Sequence, residues 1–92
     1  MIVHFACRDT QALFETGGSR RWNHILNVAT RKLAMVHAAV ELRDLRAPPG
    51  NMLEGLLGNK AGQHSIRINA QFRICFVWTE AGPTHVEIVD YH

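Results

Sequence analysis

Apolar residues change their spacing half-way along this chain, from every third or fourth position to every second. The extreme N-terminus already alternates: Ile2, His4 and Ala6 fall on one face and Val3, Phe5 and Cys7 on the other, which predicts a short strand over 2–7. Asp9 then suits the N-cap of a helix through Leu13 and Phe14, ended by Gly17-Gly18. Ser19 can cap a longer helix reaching about Val40, whose stripe is Trp22, Leu26, Ala29, Leu33, Val36 and Val40. A further turn fits 41–46, and Pro48-Pro49-Gly50 breaks it.

Beyond that break the period is two. Met52–Leu56 is a candidate strand, followed by a loop of turn-forming residues from Gly58 to Gly62. Strands at about 63–69 and 72–79, a turn at 80–83 and a last strand at about 84–90 complete the chain. Helices first and hairpin-connected strands afterwards predict an α+β fold. Two to three N-terminal helices pack on one face of a small, mainly antiparallel sheet, in a single domain spanning 1–92.

The alternation fixes a register. If Ile66 and Ile68 meet the same core as Phe72, Ile74, Phe76 and Trp78, the Asn69-Ala70-Gln71 loop pairs Ile68 with Phe72 and Ile66 with Ile74. Arg67 then stands opposite Arg73 on the other face, where two cations repel by a few tenths of a kcal/mol or more. An anion between them would make a clamp, since the guanidinium fork matches phosphate geometry. Alternatively both splay into water or pair with acids from the helices. With Val86 and Ile88 in the core, His85, Glu87, Val89 and Tyr91 share the arginine face, so Tyr91 lies near Arg73 on the open side of the sheet, with His92 adjacent.

Composition adds a little. The chain is 47% hydrophobic and 20% charged, an ordinary globular balance, with a net charge of +2. Eight of its ten basic residues are arginine, a bias that suits phosphate contacts. The N-terminus lacks a basic leader and a long apolar run, and no segment is apolar enough to span a membrane, which predicts a cytoplasmic protein. Cys7 and Cys75 lie far apart and are expected to be reduced and buried. The six histidines show no i, i+4 zinc pair, so neither a metal nor another cofactor is expected.

Several motifs resemble the HigB branch of the RelE-type bacterial toxins. They are Gly62-Gln63-x-Ser65-Ile66-Arg67-Ile68-Asn69, then Arg73-Ile74-x-Phe76, the terminal Asp90-Tyr91-His92, and the early Leu13-Phe14-Glu15-Thr16-Gly17. Within that branch, Arg20-Arg21-Trp22 and the stretch from Glu41 to Asn51 are most similar to GraT-type toxins. The resemblance covers the whole chain. It implies a metal-independent endoribonuclease that cuts mRNA in the ribosomal A site, silenced by a HigA-like antitoxin, with operator DNA bound only through the toxin–antitoxin complex. The match departs where many relatives have His-Pro-Leu-Lys: this chain has Glu54-Gly55-Leu56-Leu57, and it has His64 where they have tryptophan.

Metal-free RNA cleavage needs a base for the ribose 2′-hydroxyl, an acid for the leaving 5′-oxygen and cations around the phosphorane. His92 has the suitable unperturbed pKa, and Glu54 is a second proton carrier if burial raises its own. Arg73, with Arg67 and Lys60, would hold the phosphate, and Tyr91 would stack on a base or donate to the phosphate. Asp90 would orient His92 or fix the tail. Arg20 and Arg21, read as opening the long helix against its dipole, are candidate RNA contacts. The plainer alternatives are a frayed His92, a strand-end Glu54, a packing Tyr91, solvated Arg20 and Arg21, and a semi-buried structural His64. Two other function classes stay open: a non-cleaving ribosome- or RNA-binding inhibitor, and a module acting only in an operon-repressing complex.

Overall fold

The computed structural model describes residues 1–60 and 62–91. The first helix, α1 (Arg8–Thr16), ends where Gly17 turns left-handed at φ 75° and returns its amide to the Leu13 carbonyl at 2.8 Å. Asp9 is not its N-cap. Cys7 holds that position, and Asp9 sits in the first turn, where its charge still complements the helix dipole.

The long helix is shorter than its stripe predicts. Ser19 Oγ does accept the Trp22 amide at 3.1 Å, but what it opens is a 3-10 turn over Asn23–Ile25. Trp22 and Ile25 are both buried, and three residues per turn bring positions 22 and 25 onto one line facing the core. The α-helix proper, α2, runs Leu26–Ala38. It stops because Asp44 Oδ2 accepts the amides of Glu41 at 3.0 Å and Val40 at 3.1 Å. Those two bonds hold the Asp44 carboxyl below its usual range. Val40, expected on the buried stripe, is 84% exposed.

Four antiparallel strands follow in the order β1 (Glu54–Gly55), β2 (His64–Arg67), β3 (Phe72–Thr79) and β4 (Gly82–Asp90). The expected strand at 52–56 shrinks to its central pair, and 3-10 turns at Leu42–Arg46, Pro49–Asn51 and Gly58–Lys60 shape the approach to it. The expected strand at 2–7 is only a parallel bridge, Phe5 to Val86, with Ala6 donating to the Val86 carbonyl and Val86 to that of His4. Beside it His85 takes φ 54°, and the β3–β4 register slips between Cys75 and Val77, which limits the ladder available to the N-terminus.

The helices pack through Leu13, Ala29, Leu33 and Val36 on a sheet face carrying Ile66, Ile74, Phe76, Val86 and Ile88, with Trp78 only partly buried at its margin. Thr10 Oγ1, buried, accepts the Ile88 amide at 3.1 Å and ties α1 to β4. The architecture is α+β, as the change of period predicts. The other face of the sheet is not open at its centre: Ser65, Arg73 and Cys75 are buried there. Cys75 and the half-buried Cys7 are both free thiols. No helix among the described residues is long and apolar enough to cross a membrane.

Candidate active site

Asn69 sets the register of the site. Its Oδ1 accepts the amides of Gln71 at 2.8 Å and Phe72 at 2.7 Å, an Asx-type turn that closes the β2–β3 hairpin. Ile66 therefore faces Ile74, and Arg67 faces Arg73, as the alternation predicts. One strand further, Glu54 of β1 faces Ser65 of β2, and Ser65 lies diagonally across from Arg73. The pleat thus gathers Glu54, Ser65 and Arg73 into one row.

Arg73 is 7% exposed. Its Nε donates to Ser65 Oγ at 2.7 Å, while Nη2 donates to the Met52 carbonyl at 2.6 Å and the Ser65 carbonyl at 3.3 Å. Glu54 Oε1 stands 3.7 Å from Nε, and the guanidinium carbon lies 5.7 Å from the centre of the Tyr91 ring. The picture of two arginines on an open face therefore changes on one side: Arg67 is half-buried, but Arg73 is desolvated and braced. A buried guanidinium needs such partners, because an unpaired buried charge costs several kcal/mol. Glu54 is half exposed rather than buried.

The remaining candidates divide. Tyr91 is anchored by its amide to the Gln71 carbonyl at 2.6 Å, and Asp90 accepts from Gln71 Nε2 at 3.0 Å, so this strand end is tied to the hairpin turn. Lys60, in the turn before β2, is near enough for its charge to act on the Cys75 thiol, as are Glu87, Arg73 and Glu54; burial dominates and pushes that thiol up. His92 lies outside the described residues. Arg20 and Arg21 are not at a helix start, since α2 begins five residues later, so the dipole cost expected for them does not arise. Arg21 pairs with Asp9 at 3.1 Å and lies over the Trp22 ring at 4.6 Å, and no contact among the described residues joins it to Arg73. No group of three or more His, Cys, Asp or Glu side chains among the described residues is placed to hold a metal ion.

Three supporting residues stand outside the predicted site set. Ser65 belongs to the Gly62–Asn69 motif and, two positions before Arg67, shares its face. Lys32 is buried and donates to Asn51 Oδ1; Asn51, fully buried, donates in turn to the carbonyls of Leu45 and Ala47, each at 3.2 Å. Lys32 follows Ala29 by three and precedes Val36 by four, so the helical stripe does include it. Burial lowers its pKa, and the charges of Arg31 and Arg67 lower it further. Asn51 carries no such signal. The residue after it, Met52, takes φ 46°, and its carbonyl is the one that Arg73 meets.

The sequence has relatives. A family model described as the RelE-like toxin HigB of type II toxin–antitoxin systems matches residues 4–92. The chain belongs to the HigB family of toxins. Toxin HigB-1 of Vibrio cholerae serotype O1 is 48% identical over 82 residues, covering 87% of this chain and 86% of that toxin. A protein of Haemophilus influenzae described as uncharacterized is 39% identical over 54 residues, 59% of this chain and 54% of its own. The α+β fold with its four-stranded antiparallel sheet is the RelE-like one. HigB toxins are endoribonucleases that act on mRNA, and a type II toxin has an antitoxin as its partner.

Proposed function

We propose that this HigB-family toxin cuts mRNA on the ribosome without a metal ion, by acid–base chemistry through the ribose 2′-hydroxyl. The observation that supports it best is Arg73, held between Ser65 and the Met52 carbonyl with Glu54 and Tyr91 beside it. Those bonds engage Nε and Nη2, which leaves Nη1 for a phosphate oxygen. His92 takes the 2′-hydroxyl proton as the 2′-oxygen attacks phosphorus. The bond from phosphorus to the 5′-oxygen breaks, and the leaving oxygen takes a proton from Glu54 or from water. Arg73, with Arg67 and Lys60, balances the charge of the phosphorane, Tyr91 stacks on a neighbouring base, and Asp90 fixes the tail that carries His92. The toxin works in the cytoplasm, and a HigA-like antitoxin silences it and carries the pair to operator DNA.

A second reading is a toxin that blocks the ribosome without cutting. Two observations favour it: Arg73 spends three hydrogen bonds on its own protein, and positions 54–57 read Glu-Gly-Leu-Leu. Primer extension in a translating extract separates the readings. Wild type is expected to give new 5′ ends within codons, only when translation runs, and His92→Ala is expected to lose them. Arrested translation on intact mRNA would establish the blocker. Ends that persist in His92→Ala would move the base from His92 to another group of the cluster.

A further inference from the structure

Beside the Arg73 cluster lies a cleft of about 390 Å³ between the 42–46 turn and β1, lined by Leu42, Arg43, Arg46, Leu53, Glu54, Gly55 and His64. Three features of it point the same way. Arg43 and Arg46 stand exposed on one wall, placing positive charge at its mouth. On the floor, Gly55 pairs with His64 across the β1–β2 ladder. Because Gly55 has no side chain, the edge of the imidazole stays uncovered; a Cβ there would sit 3.9 Å from Cδ2 and Nε2, in contact with both. The ring itself is backed by Phe76, with centroids 6.4 Å apart and planes 23° from parallel. Its Nδ1 is buried without a partner among the described residues. With Nδ1 turned inward, Nε2 is the ring nitrogen left at the edge beneath Gly55.

We propose that this cleft is a nucleotide subsite for single-stranded RNA, next to the phosphate held by Arg73. It rests on the RNA reading above. One unstacked base lies in the cleft over Gly55, against the His64 edge and the Leu42 and Leu53 side chains, with Nε2 as its hydrogen-bond partner. The phosphate of that nucleotide meets Arg46 and Arg43. Glu54, which lines the cleft and stands 3.7 Å from Arg73 Nε, marks the junction between the two subsites. Single-stranded RNA is recognised in this manner elsewhere, by bases splayed onto rings and guanidinium planes. Arg46 carries the phosphate contact; Arg43 shares its charge with Glu41 at 2.9 Å.

The test uses the full-length protein and a fluorescein-labelled, uncleavable 2′-O-methyl oligoribonucleotide, with binding followed by anisotropy between 50 and 200 mM salt. Arg46→Ala is expected to reduce the slope of log affinity against log salt by about 0.7, the value for one lost single-strand phosphate contact. Gly55→Val, which fills the cleft floor, is expected to weaken binding about tenfold and leave the slope unchanged, because it removes a base contact and no charge. Thermal melts of both variants check the fold, Arg46 being exposed. If Gly55→Val melts early, Gly55→Ala, whose Cβ meets nothing closer than 3.9 Å, replaces it and is expected to weaken binding in the same direction at unchanged slope. If wild type cuts mRNA in extract, yet neither variant changes slope or affinity, the subsite is wrong and the nuclease stands. If wild type neither cuts nor binds the oligonucleotide, both fall together.

Discussion

Arg73→Ala is expected to slow mRNA cutting by about 10²–10³-fold or more, the cost of removing one positioned donor from a developing oxyanion. Structure raises the expected loss. Ser65 Oγ and the Met52 carbonyl would lose the guanidinium that bonds both, so the groups around the phosphate lose their brace as well as their charge. Arg73→Lys tests the brace apart from the charge. A single ammonium on a flexible stem cannot serve Ser65, Met52 and a phosphate at once, so this variant should retain only a small part of the activity. Ser65→Ala removes one hydrogen bond to a charged group, about 1.5 kcal/mol, and leaves the cation in place; about a tenfold loss is expected. Because each acceptor left unpaired costs about 1–3 kcal/mol, rates should be compared on protein shown folded by circular dichroism at the assay temperature. Folded Arg73→Ala that cuts within threefold of wild type would remove Arg73 from the mechanism.

The row that makes this prediction possible was half legible. Alternation from Ile66 to Trp78 and the polar Asn69-Ala70-Gln71 break allow one register that keeps both apolar faces inward, and that register places Arg67 opposite Arg73 and Tyr91 near it. The burial of Arg73 was not legible, because what covers it is irregular: a 3-10 turn, a left-handed Met52 and a strand of two residues have no period to read. The helices show the same limit. The stripe at spacings of three and four identified Ala29, Leu33 and Val36 correctly, but a 3-10 turn and an α-helix bury almost the same spacing. The sequence therefore did not separate Asn23–Ile25 from Leu26–Ala38, nor reveal that Asp44 would end the helix before Val40. The N-terminal strand failed for a third reason. Its alternation is genuine, but a strand needs a partner edge, and His85 in the left-handed region and the β-bulge leave β4 able to offer a single bridge.

Asn51→Ala should be the most destabilising single change outside the apolar core, by about 3–5 kcal/mol, because it strands the buried Lys32 charge and two carbonyls together. In a domain of this size each kcal/mol moves the melting temperature by about 4–8 °C, so a fall of more than about 12 °C is expected. The pairing can be tested by a cycle. In a Lys32→Met background Asn51→Ala should cost clearly less, since no ammonium remains to be left alone. A cost under about 1 kcal/mol, or the same cost in both backgrounds, would show that the two are uncoupled. The pH dependence gives an independent check with a definite sign. Burial lowers the Lys32 pKa in the folded chain below its ordinary 10.5, so at lower pH folding must carry a charge it disfavours. As pH rises between the lowered value and 10.5, the unfolded chain keeps the proton that the folded chain has lost, and stability from this group increases. Cys75 acts oppositely: burial raises its thiol above the ordinary 9.0, and the stability this gives is lost as pH climbs through the raised value. The difference between wild type and Lys32→Met isolates the lysine, and in denaturant melts taken upward in pH towards 10.5 it should shift steadily in favour of wild type. A difference that stays flat over that range would mean that Lys32 sits at its ordinary pKa, paired by more than Asn51.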